Sequence, residues 1–468
     1  SDIPGQLNLF NEAEAEQDPS LPEEDCIEEP SPRKKKATHA ELFKGLTVHK
    51  QVIPLAKEDK ICPVCGTPME RIGEEYVRRE LVFTPARCEI YEYYTESYGC
   101  PNCKDGKGDT EKAVIIKSKA APALIGKGPA SLSTVAWTIY QKYANGMPLY
   151  RQEKDWKEYG AAISRTTLAN WIIYSAEHYF RPLYDYFHRQ LLQREFLMAD
   201  ETRVQVLKEP GRSAESQSFM WLFRTGEDGQ PVILLYGYTP TRSGNNAADF
   251  LDGFQGYLET DGYQGYNKVS GIKRCSCWAH IRRYFVDAIP KGKQLDYNQP
   301  AVQGVHYCDR LARLESTITS KCGTDYEKRK QMSLEKEKPV LEAFWAWVDS
   351  QNPTRNTRLD KALTYVKNRR ETSMTYLEDG RCSFTNNLSE NTIQPFTVGR
   401  KNWLFSDSVE GAQASAITYT MVEMAKAHNL NIYGYLSYVL EQRPDETWSD
   451  EQLAELAPWS EKLQTLKI

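Results

Sequence analysis

A chain of 468 residues exceeds what one ordinary hydrophobic core organises, and 40% apolar with 11% aromatic residues supplies enough oily surface for several. No apolar run of about 18 residues is present to cross a bilayer, and no basic segment leads into an apolar one at the start, so neither a membrane partner nor export is expected and the location reads as cytoplasmic. The formal charge of -5 is uneven: residues 1–32 hold ten acidic side chains and no Lys or Arg, which leaves 59 basic against 54 acidic residues in the body and permits a polyanionic partner.

Residues 1–40 read as an acidic, Pro-punctuated tail ("NEAEAEQDPSLPEEDCIEEPSP") too poor in apolar side chains to fold alone. It joins a basic linker, "RKKK" at Arg33–Lys36, which is either a solvated connection or a phosphate-contacting arm. Residues 41–118, rich in Cys, Tyr and alternating polar and apolar positions, suggest short strands. The eleven cysteines are odd in number and mostly scattered, as suits a reducing compartment, but four are organised. Cys62 and Cys65 in "CPVCG" and Cys100 and Cys103 in "CPNC" form two C-x-x-C knuckles separated by 34 residues. Such a pair presents four thiolates to one tetrahedral Zn²⁺ at about 2.3 Å, a closed structural site with no open position for chemistry. Cys88, between the knuckles, reads as core.

Residues 119–194 have helical spacing. Leu132, Val135, Ala136, Ile139 and Tyr143 recur at that period before "NGMP" ends the pattern. A second helix, "LYRQEKDWKEY", stops at Gly160, and Ser164 is placed to cap a third with the stripe Leu168, Trp171, Ile172, Ala176 and Tyr179. Arg165, Thr166, Ala169 and Asn170 then face outward. The pattern fits a helix-turn-helix whose second helix enters a DNA major groove, and equally a plain helical hairpin.

From residue 195 the texture turns to strands: Phe196–Leu207, Phe219–Arg224, a "GEDGQ" turn, Val232–Tyr238, a helix "NNAADFLDGF", and a fourth strand ending at "YLETDG". Strands with an intervening helix make the region to residue 270 an α/β domain. Residues 271–380 read as helical and charged without strand alternation, and the chain finishes in further amphipathic helices such as residues 412–429.

Two adjacent carboxylates interrupt the first strand, "FLMADETRVQVL". Alternation puts Asp200 on a face with Thr202, Val204 and Val206, and Glu201 on the other with Arg203 and Gln205, so Asp200 is expected to point inward. An inward carboxylate in a sheet is costly unless paired or bound to a cation. Asp261 ends the fourth strand ahead of Gly262, where ligand-binding groups of α/β sheets collect. Glu390 in "TNNLSENTIQP" would ride the first turns of a short helix capped by Asn386 or Asn387. Each has an ordinary alternative, a turn Asp or a helix-dipole Glu. Together, three carboxylates can hold two divalent ions about 3.5 to 4 Å apart, a geometry that suits phosphodiester cleavage and strand transfer.

The knuckles, "PLYRQEKDWKEYG", "ADET", "TDGYQGY", "CWAHIRRYF", "NNLSENTIQPFTVGRKNWLFSDS" and "MVEMAKAHNLNIYGYL" together resemble bacterial transposases of the insertion sequence 66 family, in order from about residue 40 to 440. The resemblance implies a multi-domain α/β protein with an RNase H-like catalytic domain interrupted by an α-helical insertion. It implies an acidic triad at Asp200, Asp261 and Glu390 that binds two Mg²⁺ or Mn²⁺ ions. The 129 residues from Asp261 to Glu390 then place the insertion at about 271–380, the second part of the catalytic domain at 381–430 and a C-terminal helical segment at 431–468. Implied partners are double-stranded DNA (element ends and target), further copies of the chain on that DNA, and small element-encoded accessory proteins, in the nucleoid of a bacterial cytoplasm. Cys277 and His280 of "CWAH" resemble a Cys-x-x-His motif with a structural role near the site. Arg400 and Lys401, beside Trp403 and Phe405, either combine phosphate contact with apolar anchoring or form a basic surface next to a core aromatic. Two other readings remain open: a non-catalytic zinc and helix-turn-helix DNA-binding protein, and an RNase H-like nuclease without strand transfer.

Overall fold

A computed structural model describes residues 88–94, 97–99, 115–117, 121–126, 128–290 and 297–466. The acidic tail, the basic linker and Cys62, Cys65, Cys100 and Cys103 lie outside these residues. Within the region expected to hold short strands, β1 (Ser97–Gly99) and β2 (Ile115–Lys117) pair antiparallel.

Local sequence signals set the next helices. Ser131 and Thr134 close a capping box on α1 (Leu132–Tyr143), satisfying two amides that a helix start leaves unpaired. Helix α2 (Leu149–Glu158) ends before Gly160, whose φ of +87° suits a residue without a Cβ. Ser164 accepts the Thr167 N–H and opens α3 (Arg165–Ser175), as the sequence leads one to expect. One π-helical turn, Ala176–Phe180, leads into α4 (Arg181–Leu192).

The main sheet is mixed. Strands β3 (Phe196–Lys208), β4 (Gln217–Thr225) and β5 (Leu234–Thr239) run antiparallel to their neighbours, while β6 (Gly256–Thr260) and β7 (Ile272–Ser276) extend the other side of β3 in parallel. The spatial order is β5-β4-β3-β6-β7. Between β5 and β6 lies α5 (Gly244–Phe250), capped by Ser243, with Gly244 pressed against the backbone of Gly265. Strand β7 departs from the expectation of a purely helical stretch after residue 271. It is the edge strand, its Lys273 and Arg274 are not buried, and "IKRCS" therefore shows no apolar alternation.

Helices α6 (Trp278–Ala288), α7 (Pro300–Cys322), α8 (Tyr326–Lys336), α9 (Lys338–Ser350) and α10 (Arg358–Lys367) follow. The chain then makes α11 (Asn387–Trp403), β8 (Ser406–Ser408), which pairs with the far end of β3, α12 (Val409–Ala427) and α13 (Ile432–Gln442). Two cores result. Leu197 and Ala199 of β3 join one with Leu168, Phe187, Met421 and Leu436; Phe196 and Met198 join the other with Trp278, Phe285, Phe344 and Leu363. Alternation along β3 thus feeds both layers, which is why "FLMA" is apolar without interruption. Each such fully buried Leu or Phe contributes about 1.5 to 3 kcal/mol. Among the described residues no helix is long and apolar enough to cross a membrane.

Candidate active site

Both carboxylates of the "ADET" segment are enclosed. Asp200 lies opposite Leu222 and follows Met198 on its face of β3; Glu201 lies opposite Trp221 and shares the face of Ala199. The expectation that only Asp200 points inward is corrected here. Helices cover both sides of the sheet, so the Glu201 side chain is 1% exposed, and it accepts hydrogen bonds from the Tyr266 hydroxyl and the Arg242 guanidinium. Arg242 also lies 3.6 Å from Asp261 Oδ2 and stacks over the Tyr263 ring at 4.1 Å, so it bridges the middle of β3 and the end of β6.

Asp261 follows the last residue of β6. Its Oδ1 accepts the Tyr263 N–H at 2.7 Å, an Asx turn that fixes the carboxylate where the chain leaves the sheet. Arg274 of β7 donates to the Thr260 hydroxyl at 2.6 Å and to the Asp261 carbonyl at 3.2 Å, and Arg369 donates to the Gly262 carbonyl.

Glu390 sits in the first turns of α11, a helix of 17 residues where a short one is expected from the sequence. Asn386 does occupy the N-cap position, but its side chain makes no cap bond; the amide donates instead to the Ala199 carbonyl at 3.1 Å, tying the start of α11 to β3 beside Asp200. The Asn386 N–H donates to the sulfur of Cys277 at 3.1 Å, which joins α11 to the start of α6 as well. His280, one turn into α6, brings Nδ1 to 3.6 Å from Glu390 Oε1. Burial, helped by Arg283, pushes His280 down to about 4, so at neutral pH the ring is uncharged and the contact is no ion pair. Ligand atoms of Cys277, His280 and Glu390 lie within 4.8 Å of one another; among the described residues the three carboxylates Asp200, Asp261 and Glu390 are not drawn into so tight a set.

The carboxylates nevertheless feel one another. Burial raises Asp200 well above the usual carboxylate range, and the charges of Glu201, Glu390 and Asp261 raise it further, against a single lowering hydrogen bond from the Glu201 N–H at 2.8 Å. Burial pushes Glu390 up to about 7; Arg283 opposes the shift and Asp261 adds to it. Neither carboxylate oxygen of Glu390 has a hydrogen-bond partner. Clustered acidic groups with unsatisfied hard oxygens are what divalent cations bind, and what the bare protein holds only at an electrostatic cost. Beside them, a polar cleft of about 290 Å³ is lined by Glu201, Thr202, Arg203, Phe219, Arg242 and Arg400.

Of the expected DNA contacts, Arg165, Thr166 and Asn170 are exposed on α3, with the Arg165 N–H donating to Glu153 at 3.1 Å. Lys401 is exposed, whereas Arg400 is half-buried and donates to the Arg203 carbonyl on β3. Arg242, Tyr266 and Arg283 were not singled out from the sequence. Nothing local marks them, since each is recognised only by the carboxylate it faces.

Residues 127–414 match the model of the Transposase IS66 family, residues 59–104 the zinc-finger binding domain of transposase IS66, and residues 420–459 the IS66 C-terminal element. The zinc-finger match spans Cys62, Cys65, Cys100 and Cys103. Two similar proteins of Sinorhizobium fredii (strain NBRC 101917 / NGR234), uncharacterized proteins y4qI and y4jD, are each 26% identical, over 436 and 420 residues. The alignments cover 90% and 86% of this chain and 77% and 79% of those proteins.

Proposed function

The chain belongs to the IS66 family of transposases, and we propose that it binds the terminal inverted repeats of a mobile element and catalyses metal-dependent DNA cleavage and strand transfer at their ends. The observation that carries this reading is the electrostatic convergence of Asp200, Asp261 and Glu390 from β3, the end of β6 and α11. The strand order, three antiparallel strands flanked by two parallel ones, supports an RNase H-like catalytic domain, with the helices between α6 and α11 as its insertion. Cys62, Cys65, Cys100 and Cys103 would hold one structural Zn²⁺ in the module ahead of it. Arg165, Thr166 and Asn170 on α3 and Arg400 and Lys401 on α11 would contact DNA. The working form is a homo-oligomer on that DNA, assisted by small accessory proteins.

Mg²⁺ or Mn²⁺ held by Asp200, Asp261 and Glu390 would supply Lewis-acid stabilisation of the charge that develops on the phosphorus oxygens. The chain's own residues do the rest. The Tyr263 N–H fixes Asp261, and Arg242 holds Glu201 and Asp261 at a set separation so that the acidic groups are oriented before DNA arrives. Glu390, with no internal hydrogen-bond partner, is free to accept a proton from the attacking hydroxyl, first of water and then of the freed 3′ end. The Cys277 sulfur, accepting the Asn386 N–H, ties α11 to the start of α6 and so sets Glu390 beside the neutral His280 ring.

Asp200→Ala should abolish Mg²⁺-dependent nicking of end-bearing DNA and leave specific binding nearly intact. Full nicking by that variant would remove the triad. Joined products from the wild-type chain distinguish strand transfer from hydrolysis alone, and binding without either reaction would leave only a DNA-binding protein.

A further inference from the structure

We propose that a groove between α6 and α10, beside Asp261, takes one unpaired nucleotide of the DNA at the reaction centre, stacking its base on Tyr284 and holding its phosphate with Lys361 and Arg369. The inference rests on the transposase reading above and names what a second part of that site binds.

The groove has a volume of about 440 Å³ and is lined by Tyr284, Lys361, Thr364, Tyr365, Asn368 and Arg369, with Asp360 at one position. That volume falls in the range of small-molecule sites. Tyr284 of α6 and Tyr365 of α10 stack with ring centroids 3.9 Å apart and planes 20° from parallel, and the Arg369 guanidinium lies 3.6 Å from the Tyr365 centroid. Tyr284 remains 39% exposed. A single exposed Tyr is ordinary, but one held by a second ring and an Arg is a pre-formed platform on which a base loses little entropy to settle.

The charges match a nucleic acid strand. Lys361 is exposed, and Arg369 and the exposed Arg283 add positive potential. Asp360, which accepts the Asn356 N–H at 2.8 Å, is the one carboxylate in the lining and is outnumbered by these three cations. Asn368 offers an amide able to donate to and accept from a base edge.

Placement ties the groove to the chemistry. Arg369 donates to the Gly262 carbonyl, one residue past Asp261, and a Cβ built at Gly262 would stand 2.2 Å from Arg369 and 2.5 Å from the Tyr365 hydroxyl. Platform and acidic site therefore share one backbone segment. A paired base within a duplex cannot offer its face to Tyr284; an unpaired one can, and base–aromatic stacking is sequence-tolerant.

The test measures binding of the full chain by fluorescence anisotropy to three duplexes: one with a short single-stranded thymidine overhang, one with the same overhang abasic, and one blunt. The wild-type chain should prefer the thymidine overhang to the abasic one. Tyr284→Ala should weaken the thymidine overhang by about 5- to 150-fold, leave the other two duplexes unchanged, and be rescued by Tyr284→Phe. Lys361→Gln should weaken both overhangs alike and flatten their salt dependence. Equal wild-type affinity for thymidine and abasic overhangs, or equal losses on all three duplexes in Tyr284→Ala, overturns the proposal. If the chain still nicks end-bearing DNA in that event, only the groove is misassigned; if it binds and nicks no DNA at all, the transposase reading fails with it.

Discussion

Removing the charge of Glu390 should stabilise the metal-free protein at alkaline pH while destroying its response to Mg²⁺. The carboxyl is 9% exposed, and burial pushes it from the ordinary 4.5 up to about 7. A folded-state value above the unfolded one means that folding favours the protonated form. Its contribution to stability is complete below pH 4.5 and is lost as the pH rises through about 7. At about 1.4 kcal/mol per unit, ionising Glu390 costs the bare fold on the order of 3 kcal/mol by the alkaline end of that window. Glu390→Gln keeps the side chain's shape and removes its charge, so the comparison reads the cost of ionising a carboxyl whose oxygens have no hydrogen-bond partner. Thermal melting in chelator should show stability falling more steeply between about pH 5 and pH 8 in the wild type than in the variant, whose other buried carboxyls such as Asp200 and Glu337 still titrate, so that the variant ends several degrees higher. Excess Mg²⁺ should then raise the wild type, by about 2.7 kcal/mol at a hundredfold excess over Kd, and leave the variant unmoved. A variant that melts below wild type at alkaline pH in chelator, or that gains as much from Mg²⁺, refutes the claim that Glu390 is held in strain for a cation.

Three further outcomes follow from particular contacts. Gly244→Ala would set a Cβ 2.3 Å from the Gly265 carbonyl oxygen, a backbone atom that cannot swing aside. A loss of about 1 to 3 kcal/mol is expected in urea unfolding, with cleavage reduced because Tyr263 and Tyr266 flank the same turn. Cys62→Ser should lower bound zinc, measured by mass spectrometry of the metal, from one equivalent per chain to a weakly held fraction. Asn170→Ala, at an exposed α3 position, should weaken end DNA more than unrelated DNA by about 1 to 3 kcal/mol in competition binding; equal loss on both would make it a backbone contact.

How far the sequence reaches depends on the range of the interaction that decides each feature. The cap of α3 was legible because Ser164 and Thr167 are three residues apart and need nothing else. The strands β3 to β6 were legible because apolar runs end at turn residues. Strand β7 was not, because an edge strand with Lys273 and Arg274 is defined by its pairing with β6 rather than by its own pattern. Glu201 marks the limit most sharply. Period-two alternation establishes that it and Asp200 leave β3 on opposite sides, but which sides are covered depends on helices far along the chain, and both are. Asn386 is a similar case: its N-cap position is a local fact, whereas the use of its amide by the Ala199 carbonyl and of its N–H by Cys277, 109 residues away, is a tertiary one. Residue type and direction are thus written locally. Proximity is not, and the chemistry resides in proximity: Asp200 reads in the sequence as one inward carboxylate, and only the fold shows that burial, then Glu201, Glu390 and Asp261, raise its affinity for a proton. A cation that relieves this repulsion stabilises the fold and readies the site through the same bonds, so across carboxylate variants the stability gained on adding Mg²⁺ should rise and fall with the tightness of divalent binding.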